Sequence, residues 1–441
     1  FPYRDTEEKI PWRGRGIGVQ PSLALGGLSN VWGAATLPYS GDDIADWPIT
    51  LAELAPHYRA AAEMLGLAGR RDDLEEILPL YAEKPGELRP SGQAKRLLGK
   101  LEKRRDALRA HGWRFGQSRL AVRAADSPRG RGCVYCRQCM TGCVYGCIYN
   151  SADTVRELQN EKNFSYQPDT VVTKLREEGE NVFIDGFRRR SGTPFTLAAE
   201  RVYVAAGVIP TAQILLRSRE AYDQPVTLRD SQYFLFPILQ FRGVGNVRRE
   251  ALHTLSQVFL ELSNRRVSSH SVHLQVYTYS EIIGQAVRKS LGPLRIFGGA
   301  LDGRLLIAQG YLHSDESAGI EMTLKRDGSR DVLEMEVKRN PSTRRVIGRV
   351  VRALGKQWRA LGGFPVGPML QVAPPGRGFH CGGSFPMRSA PGALETDVWG
   401  RLPGWARIHA VDASVLPAIP ATTITLSAMA NAHRIGAAKL D

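Results

Sequence analysis

Five of the six cysteines fall within fifteen residues, as Cys133-x2-Cys136-x2-Cys139-x3-Cys143, with Cys147 four positions further on. Thiols at this spacing have three outcomes: an iron–sulfur cluster, a zinc ion, or no metal, with the sulfurs packed in a compact loop or paired in a disulfide. C-x2-C-x2-C-x3-C matches the bacterial ferredoxin-type loop, whose short separations wrap thiolates around a cubane. Val144 stands where a proline usually follows the last ligand, and no remote motif offers a second cluster. Zinc needs four thiolates in a tetrahedron, and paired C-x2-C knuckles normally lie further apart. Cys133, Cys136, Cys139 and Cys143 are the candidate cluster ligands.

Of nine histidines, His380 is the one placed for proton chemistry, between glycines in Gly376-Arg377-Gly378-Phe379-His380-Cys381-Gly382-Gly383-Ser384. Glycines let backbone approach a ligand closely. An imidazole titrating near neutrality can take the proton of an alcohol while a hydride leaves elsewhere. The plain alternative is a hydrogen-bonded structural histidine, the reading given to His409 and His433. Two glycine clusters invite a nucleotide. Gly14-Arg15-Gly16-Ile17-Gly18 misses G-x-G-x-x-G at Val19 and reads as a loop. Gly26-Gly27-Leu28-Ser29-Asn30-Val31-Trp32-Gly33 puts small residues where a flat ligand would lie, although glycine turns beside a tryptophan are common.

These groups need a scaffold. Thr50 caps a helix from Leu51 to Gly66, and Lys95 to His111 reads as one basic helix. From Phe164 the signal turns to short strands, the last, RVYVAAG, followed by a helix at Val208–Ser218 with Pro210 in its first turn. Residues 231–340 read as antiparallel sheet through FLFPILQF, SVHLQVYTY, GIEMTLKR and VLEMEVKR, with one helix near Glu281–Leu291. A helix from Ser342 to Leu361, a Pro/Gly-rich stretch, the strand RIHAVDAS and a helix from Ile424 to Lys439 follow. Strand–glycine–helix units at both ends with an antiparallel block between make the fold class α/β plus α+β, a discontinuous α/β domain interrupted by an α+β one.

The 441 residues allow two or three domains, and 43% apolar with 23% charged residues excludes disorder, collagen and a coiled coil. No apolar run nears the ~18 residues of a membrane span. The net charge of +15 favours anionic neighbours; without a nucleic-acid motif it reads as a solvated basic face suited to an anionic glycan or nucleotide. Clustered thiols lean towards the cytoplasm, the periplasm being open to a protein exported already folded. The chain opens at Phe1 inside connecting sequence with no signal peptide in view, so the N-terminus says little about compartment.

Three segments in order resemble the glucose–methanol–choline (GMC) oxidoreductases. Gly26 to Gly33 looks like their flavin-contacting loop. Val202-Tyr203-Val204-Ala205-Ala206-Gly207 through Ser218 is similar to their second signature. His380-x2-Gly383-Ser384-x2-Met387, then Val411-Asp412-Ala413-Ser414 and Thr425 to Ala430, resemble the closing HPxGTxxM, VDAS and TxxALA blocks. The resemblance implies FAD and oxidation of an alcohol. It places Gly26, Gly27, Ser29, Asn30, Trp32 and Gly33 against the cofactor, with Ala206 and Gly207, and Val172 at the adenine. Asp412 and Ala413 would run along the ribitol and pyrophosphate, and the Thr422–Thr423 backbone would face the ring edge. His380 would be the general base, with Thr422 orienting the hydroxyl. A discontinuous Rossmann-like FAD domain would take residues 1–50, 151–230 and 393–441. A helical, Cys-rich insert would occupy 51–150, and a substrate domain on an antiparallel sheet 231–392.

Four departures stand out. The first G-x-G-x-x-G unit is absent, so on this plan it lies upstream of Phe1 or in another chain. Ala421 or Thr422 stands where a His or Asn usually partners the base. Val31 replaces the histidine that carries flavin covalently in pyranose-type enzymes, so dissociable FAD is expected. Cys381, not proline, follows His380. Some relatives carry a cysteine loop with a cluster that passes electrons from FAD to an external acceptor, and others have similar cysteines with no established cluster. The function expected is an FAD-dependent dehydrogenase of a sugar or polyol, with a protein or quinone acceptor. The competing readings are a non-catalytic or electron-transfer subunit that keeps the scaffold and, on charge alone, a glycan-binding module.

Overall fold

In the strand Val272–Tyr277, Val272, Leu274 and Val276 alternate with His273, Gln275 and Tyr277, so the strand has one apolar and one polar face. The computed structural model, which describes residues 2–290, 301–328 and 330–439, builds a seven-stranded sheet around it. Its order is Gly363–Pro365, Tyr233–Gln240, Leu305–Tyr311, Val272–Tyr277, Val258–Leu262 and Trp113–Gln117, with Gln371–Val372 also on Tyr233–Gln240. Every pairing is antiparallel. Phe234, Phe236, Ile238, Leu260 and Leu274 pack beneath the helices Gly92–Glu102 and Thr343–Lys356. Each such side chain contributes ~1.5–3 kcal/mol through burial. The polar face is buried as well.

The hairpin Gly319–Asp327 and Arg330–Lys338 does not join that sheet. It pairs with Pro225–Asp230 and, in parallel, with Trp12–Gly14, in a five-stranded sheet completed by Cys381–Gly382. Its inward residues Ile320, Met322, Leu324 and Leu333 belong to a different core from the first sheet's, which is why the antiparallel block expected over 231–340 splits in two. Among the described strands, parallel pairing is otherwise confined to Val202–Val204 with Ile408–Ala410. The helix Val208–Ser218 follows as expected, with Gly207 at φ +88° before it. Strands Thr170–Glu178, Asn181–Arg188 and Pro194–Ala199 form a separate meander.

Both ends of the chain share one core. The helix Leu51–Leu65 starts in a capping box between Thr50 and Glu53, ends at Gly66, and packs on the helix Thr425–Gly436, with the Tyr58 hydroxyl 2.8 Å from Ser427 Oγ. The basic segment breaks into Gly92–Glu102 and Arg105–Ala110; the break lets Arg109 donate to buried Asp73 at 2.7 Å. The helix near Glu281 runs to Ser290, and its expected end, Leu291, lies outside the described residues. No described helix is long and apolar enough to cross a membrane.

Phe236 is fully buried, so Phe236→Ala is expected to cost about 3–5 kcal/mol, read as a lower urea midpoint at an unchanged slope. A loss under about 1 kcal/mol would show that the sheet is not packed on this face.

Candidate active site

The Gly26–Gly33 segment is held from outside by the start of the helix Ser151–Leu158. Ser29 Oγ accepts from the Ser151 amide at 3.0 Å, Asn30 Oδ1 accepts from Asn150 Nδ2 at 2.9 Å, and Trp32 Nε1 donates to the Tyr149 carbonyl at 2.9 Å. The side chains of Ser29, Asn30 and Trp32 therefore shape the loop. What remains open is backbone. A Cβ on Gly26 would strike Asn150 Oδ1 at 2.5 Å, whereas one on Gly27 would meet nothing within 4 Å. Gly33 faces Tyr277, whose hydroxyl lies 3.7 Å from where a Gly33 Cβ would stand. Gly14–Gly18 is a loop, as expected, with the Gly18 amide donating to the Pro375 carbonyl at 2.8 Å.

Val172 and Ala206 line a common cavity of about 670 Å³, with Ile10, Leu23, Phe187 and Ile214 among the other walls. A Cβ on Gly207, beside Ala206, would likewise meet nothing within 4 Å. Asp412 has a different task. Its carboxylate accepts from the Gly207 amide at 2.9 Å, from Thr211 Oγ1 at 2.6 Å and from the Ser414 amide at 2.9 Å, tying the start of the helix Val208–Ser218 to the 413–415 turn. The Ala413 carbonyl receives the Gly383 amide at 2.9 Å, which sets the His380 segment beside that turn. Thr423 Oγ1 accepts from the Leu37 amide at 2.8 Å. Thr422 Oγ1 is buried and has no protein partner.

His380 does not border the large cavity. Its ring stacks on Tyr311 at 4.6 Å and its carbonyl accepts from the Ser231 amide at 3.0 Å. Surrounding protein desolvates the ring and pushes its pKa down to about 3, with His273 adding to the effect. The residue nevertheless keeps some accessible surface. Its Nδ1 is buried without a partner, as are Ser384 Oγ, Ser414 Oγ and His273 Nε2. Buried polar atoms are ordinarily paired, so unpartnered atoms in the segments bearing His380, Asp412 and Thr422 suit a polar ligand.

Three contributors carried no sequence signal of their own. Asp230 is buried, accepts from Cys381 Sγ at 3.3 Å, and is pushed by burial up to about 7. Glu261 and His273 form a buried pair whose carboxyl pKa is raised by desolvation. Their one available clue was the polar half of the alternation in FLEL and VHLQVY.

The thiol loop is a second centre. Cys133, Cys136, Cys139, Cys143 and Cys147 surround a void of about 10 Å³ with His253, whose Nδ1 is buried and unpartnered. All are free thiols. The Thr254 amide donates to Cys139 Sγ at 3.4 Å and the Cys147 amide to Cys143 Sγ at 3.3 Å. Burial raises the Cys133 and Cys139 thiols and takes Cys147 up to about 12. Tyr135 and Arg137, between the first three cysteines, adopt left-handed backbone at φ +57° and +68°. Among the described residues, the trio of His, Cys, Asp or Glu whose ligand atoms all lie within 4.8 Å is instead His270, His313 and Asp315. Those two imidazoles stack face to face at 3.7 Å, so their in-plane lone pairs cannot converge on one ion.

Solved structures share this architecture. The chain matches pyridoxine 4-oxidase from Mesorbium loti with a TM-score of 0.61 at 14% identity, over 95% of this chain and 84% of that one. It matches a fungal aryl-alcohol oxidase with 0.58 at 12%, over 95% and 86%. An FAD-dependent oxidoreductase from Chaetomium thermophilum gives 0.61 at 12%, over 95% and 86%. The chain has the fold of these oxidoreductases. No family model matches the sequence, and no curated relative does.

Asp230 gives a pH test. Its folded pKa of about 7 lies above the ~3.9 of a free carboxyl, so its contribution to stability is full below pH ~4 and is lost as pH rises through ~7. Asp230→Asn is expected to leave stability little changed at pH 4 and to gain up to about 4 kcal/mol over the parent at pH 8, measured by urea unfolding. Parallel pH profiles would place the carboxyl in water.

Proposed function

We propose that the chain is an FAD-dependent oxidoreductase that converts an alcohol, of sugar or polyol type, to a carbonyl. The observation carrying this reading is the set of buried polar atoms without partners, His380 Nδ1, Thr422 Oγ1, Ser384 Oγ and Ser414 Oγ, in a fold shared with an FAD-dependent oxidoreductase and an aryl-alcohol oxidase. FAD, when bound, supplies the two-electron acceptor; the protein binds and orients. Gly26, Gly27 and Gly33 would give backbone contacts to the ring, and Val172, Ala206 and Gly207 would hold the nucleotide end. Ala413 and the Thr422–Thr423 backbone would complete the site. Asp412 would act by fixing the helix beside it. His380 and Thr422 would meet the hydroxyl, His380 accepting its proton. The polar sheet face suits a polyhydroxyl substrate: Gln309 Nε2 donates to the Tyr233 hydroxyl at 3.2 Å, and the Tyr277 hydroxyl to Gln275 Oε1 at 3.3 Å. The +15 charge favours an anionic or nucleotide-linked form of it.

The thiol loop would hold an iron–sulfur cluster through Cys133, Cys136, Cys139 and Cys143, passing electrons on to a protein or quinone acceptor. Backbone amides already point at two of these sulfurs, and left-handed residues between ligands form the amide-lined concavities in which such clusters sit. Zinc would bring thiolates far closer together than a cubane, which carries them on its outer corners. The second reading, an electron-transfer subunit, draws on the same loop and expects iron without alcohol-dependent flavin bleaching.

Protein purified with FAD is expected to be yellow and to bleach anaerobically with a polyol panel. His380→Ala should keep its flavin and slow bleaching by roughly 10²–10⁴-fold; failure of the parent to bind FAD overturns the reading. Anaerobically prepared protein should contain iron and give a low-temperature EPR signal on reduction, both lost in Cys136→Ser. Less than one iron per chain leaves the thiols a structural role.

A further inference from the structure

Along the stretch from Trp358 to Phe364 the fold buries the smaller apolar side chains and leaves the largest in water. Ala360 and Leu361 join the core beneath the seven-stranded sheet, while Trp358 and Phe364 stay 43% and 45% exposed. Gly362, left-handed at φ +63°, ends the short helix Trp358–Leu361 and turns the chain into the edge strand Gly363–Pro365. The Gly362 carbonyl accepts from the Phe241 amide at 2.8 Å, which brings in a third ring, 49% exposed. The Phe241 ring lies 6.0 Å from both Trp358 and Phe364. Two stretches of chain thus present one contiguous aromatic cluster to solvent. Single exposed apolar residues are ordinary, but large aromatics gain much from leaving water, and a group of them marks an interaction site.

The surroundings of the cluster are cationic. Arg242 follows Phe241, and Arg359 follows Trp358 with its guanidinium 4.6 Å from the centre of that ring. Arg96 donates to the Gly243 carbonyl at 2.6 Å, and Arg304 packs against the same glycine. The Lys100 ammonium stands 2.6 Å from where a Gly362 Cβ would be, and Lys356 closes the preceding helix. Among the described residues no carboxylate oxygen lies within 4.0 Å of a charged nitrogen of these six. The acids on neighbouring segments are engaged elsewhere: Glu102 with Arg105, Asp302 with Arg248 and Arg288, and Glu250 with the Gly92 amide.

Exposed tryptophan and phenylalanine ringed by unpaired cations suit an anionic bilayer. The rings enter the boundary between headgroups and acyl chains, while the long basic side chains reach the phosphates. Two other occupants fit worse. Nucleic-acid bases stack on open ring faces, but these rings meet at 77° and 49°, and Arg359 covers one face of Trp358. A strand added by a second copy needs a long free edge; this one has three residues, and Pro365 has no N–H to give.

We propose that the Phe241–Trp358–Phe364 cluster and its basic surround are a docking surface for an anionic lipid membrane, on which the protein sits peripherally. The proposal goes beyond the flavin reading and does not rest on it. In flotation, the purified chain should bind phosphatidylcholine vesicles carrying about one-third phosphatidylglycerol, ignore vesicles of phosphatidylcholine alone, and be released by about 0.5 M salt. Lys356→Glu with Arg359→Glu, and separately Phe241→Ser with Phe364→Ser, should each weaken binding at least about tenfold. Circular dichroism and the urea midpoint establish that both variants are folded. Insertion has its own readout: lipid brominated in the acyl chains should quench the tryptophan fluorescence of the bound parent, and bound Trp358→Phe should lose most of that quenching. No binding to anionic vesicles, equal binding to neutral ones, or unchanged binding in both double variants overturns the proposal. A dimer in sedimentation that either double variant dissociates gives the face to a second copy and overturns it too. None of these measurements reads flavin or turnover, so the flavin reading stands or falls separately.

Discussion

Burying a β-sheet on both faces forces a choice on every polar side chain it carries: pair, or wait for a ligand. Here the apolar face is closed by two helices and the opposite face by the segments running from Gly26 to Gly33 and from His380 onward. Glu261 pairs with His273, and Gln309 with Tyr233. His273 Nε2 and His380 Nδ1 do not pair within the protein. An unpaired buried polar group costs roughly 1–3 kcal/mol, a penalty a bound ligand removes. That penalty is an argument, independent of any single motif, for the polar ligand proposed above.

The same constraint explains why both chain ends are needed. The 413–415 turn, which receives the Gly383 amide, is itself fixed by Asp412 to the start of a helix just over two hundred residues earlier in sequence. The Leu37 amide reaches Thr423 Oγ1, and the Tyr39 amide the Tyr58 hydroxyl. Three distant stretches are thereby stitched into one wall. This is why Asp412, whose place in the motif resembles a cofactor contact, can act on a ligand through the backbone it holds and not through its own oxygens.

Legibility in the sequence followed the range of the interactions. The helix at Leu51–Leu65 and the Gly207-led helix were readable because caps and glycine turns are local. The break inside the basic segment was not, because it serves a contact with Asp73, some thirty residues away in sequence. Alternation in SVHLQVYTY correctly gave a strand, but alternation alone reports two faces and not what covers them; the polar face is normally assigned to water. His273 and Glu261 were hidden by that default. His380 was visible because its glycines are neighbours in sequence, whereas the carboxyl group of Asp230 beside Cys381 comes from a different strand.

The thiol loop gains meaning from what lies at its two ends. Towards the C-terminus, Cys147 is three residues from Asn150, whose side chain holds Asn30, so at ~3.5 Å per residue the loop is within ~10 Å of chain from the Gly26–Gly33 segment. On its other side it docks on 252–255, where Cys136 bridges Leu252 and the Thr254 amide meets Cys139 Sγ. That stretch runs directly into the strand carrying Glu261. The loop is thereby connected on one side to the Gly26–Gly33 segment and on the other to the stretch leading into the strand Val258–Leu262. A purely structural loop needs neither connection. Their coincidence is the physical argument for the electron exit proposed above, since a flavin reduced by two electrons must pass them on.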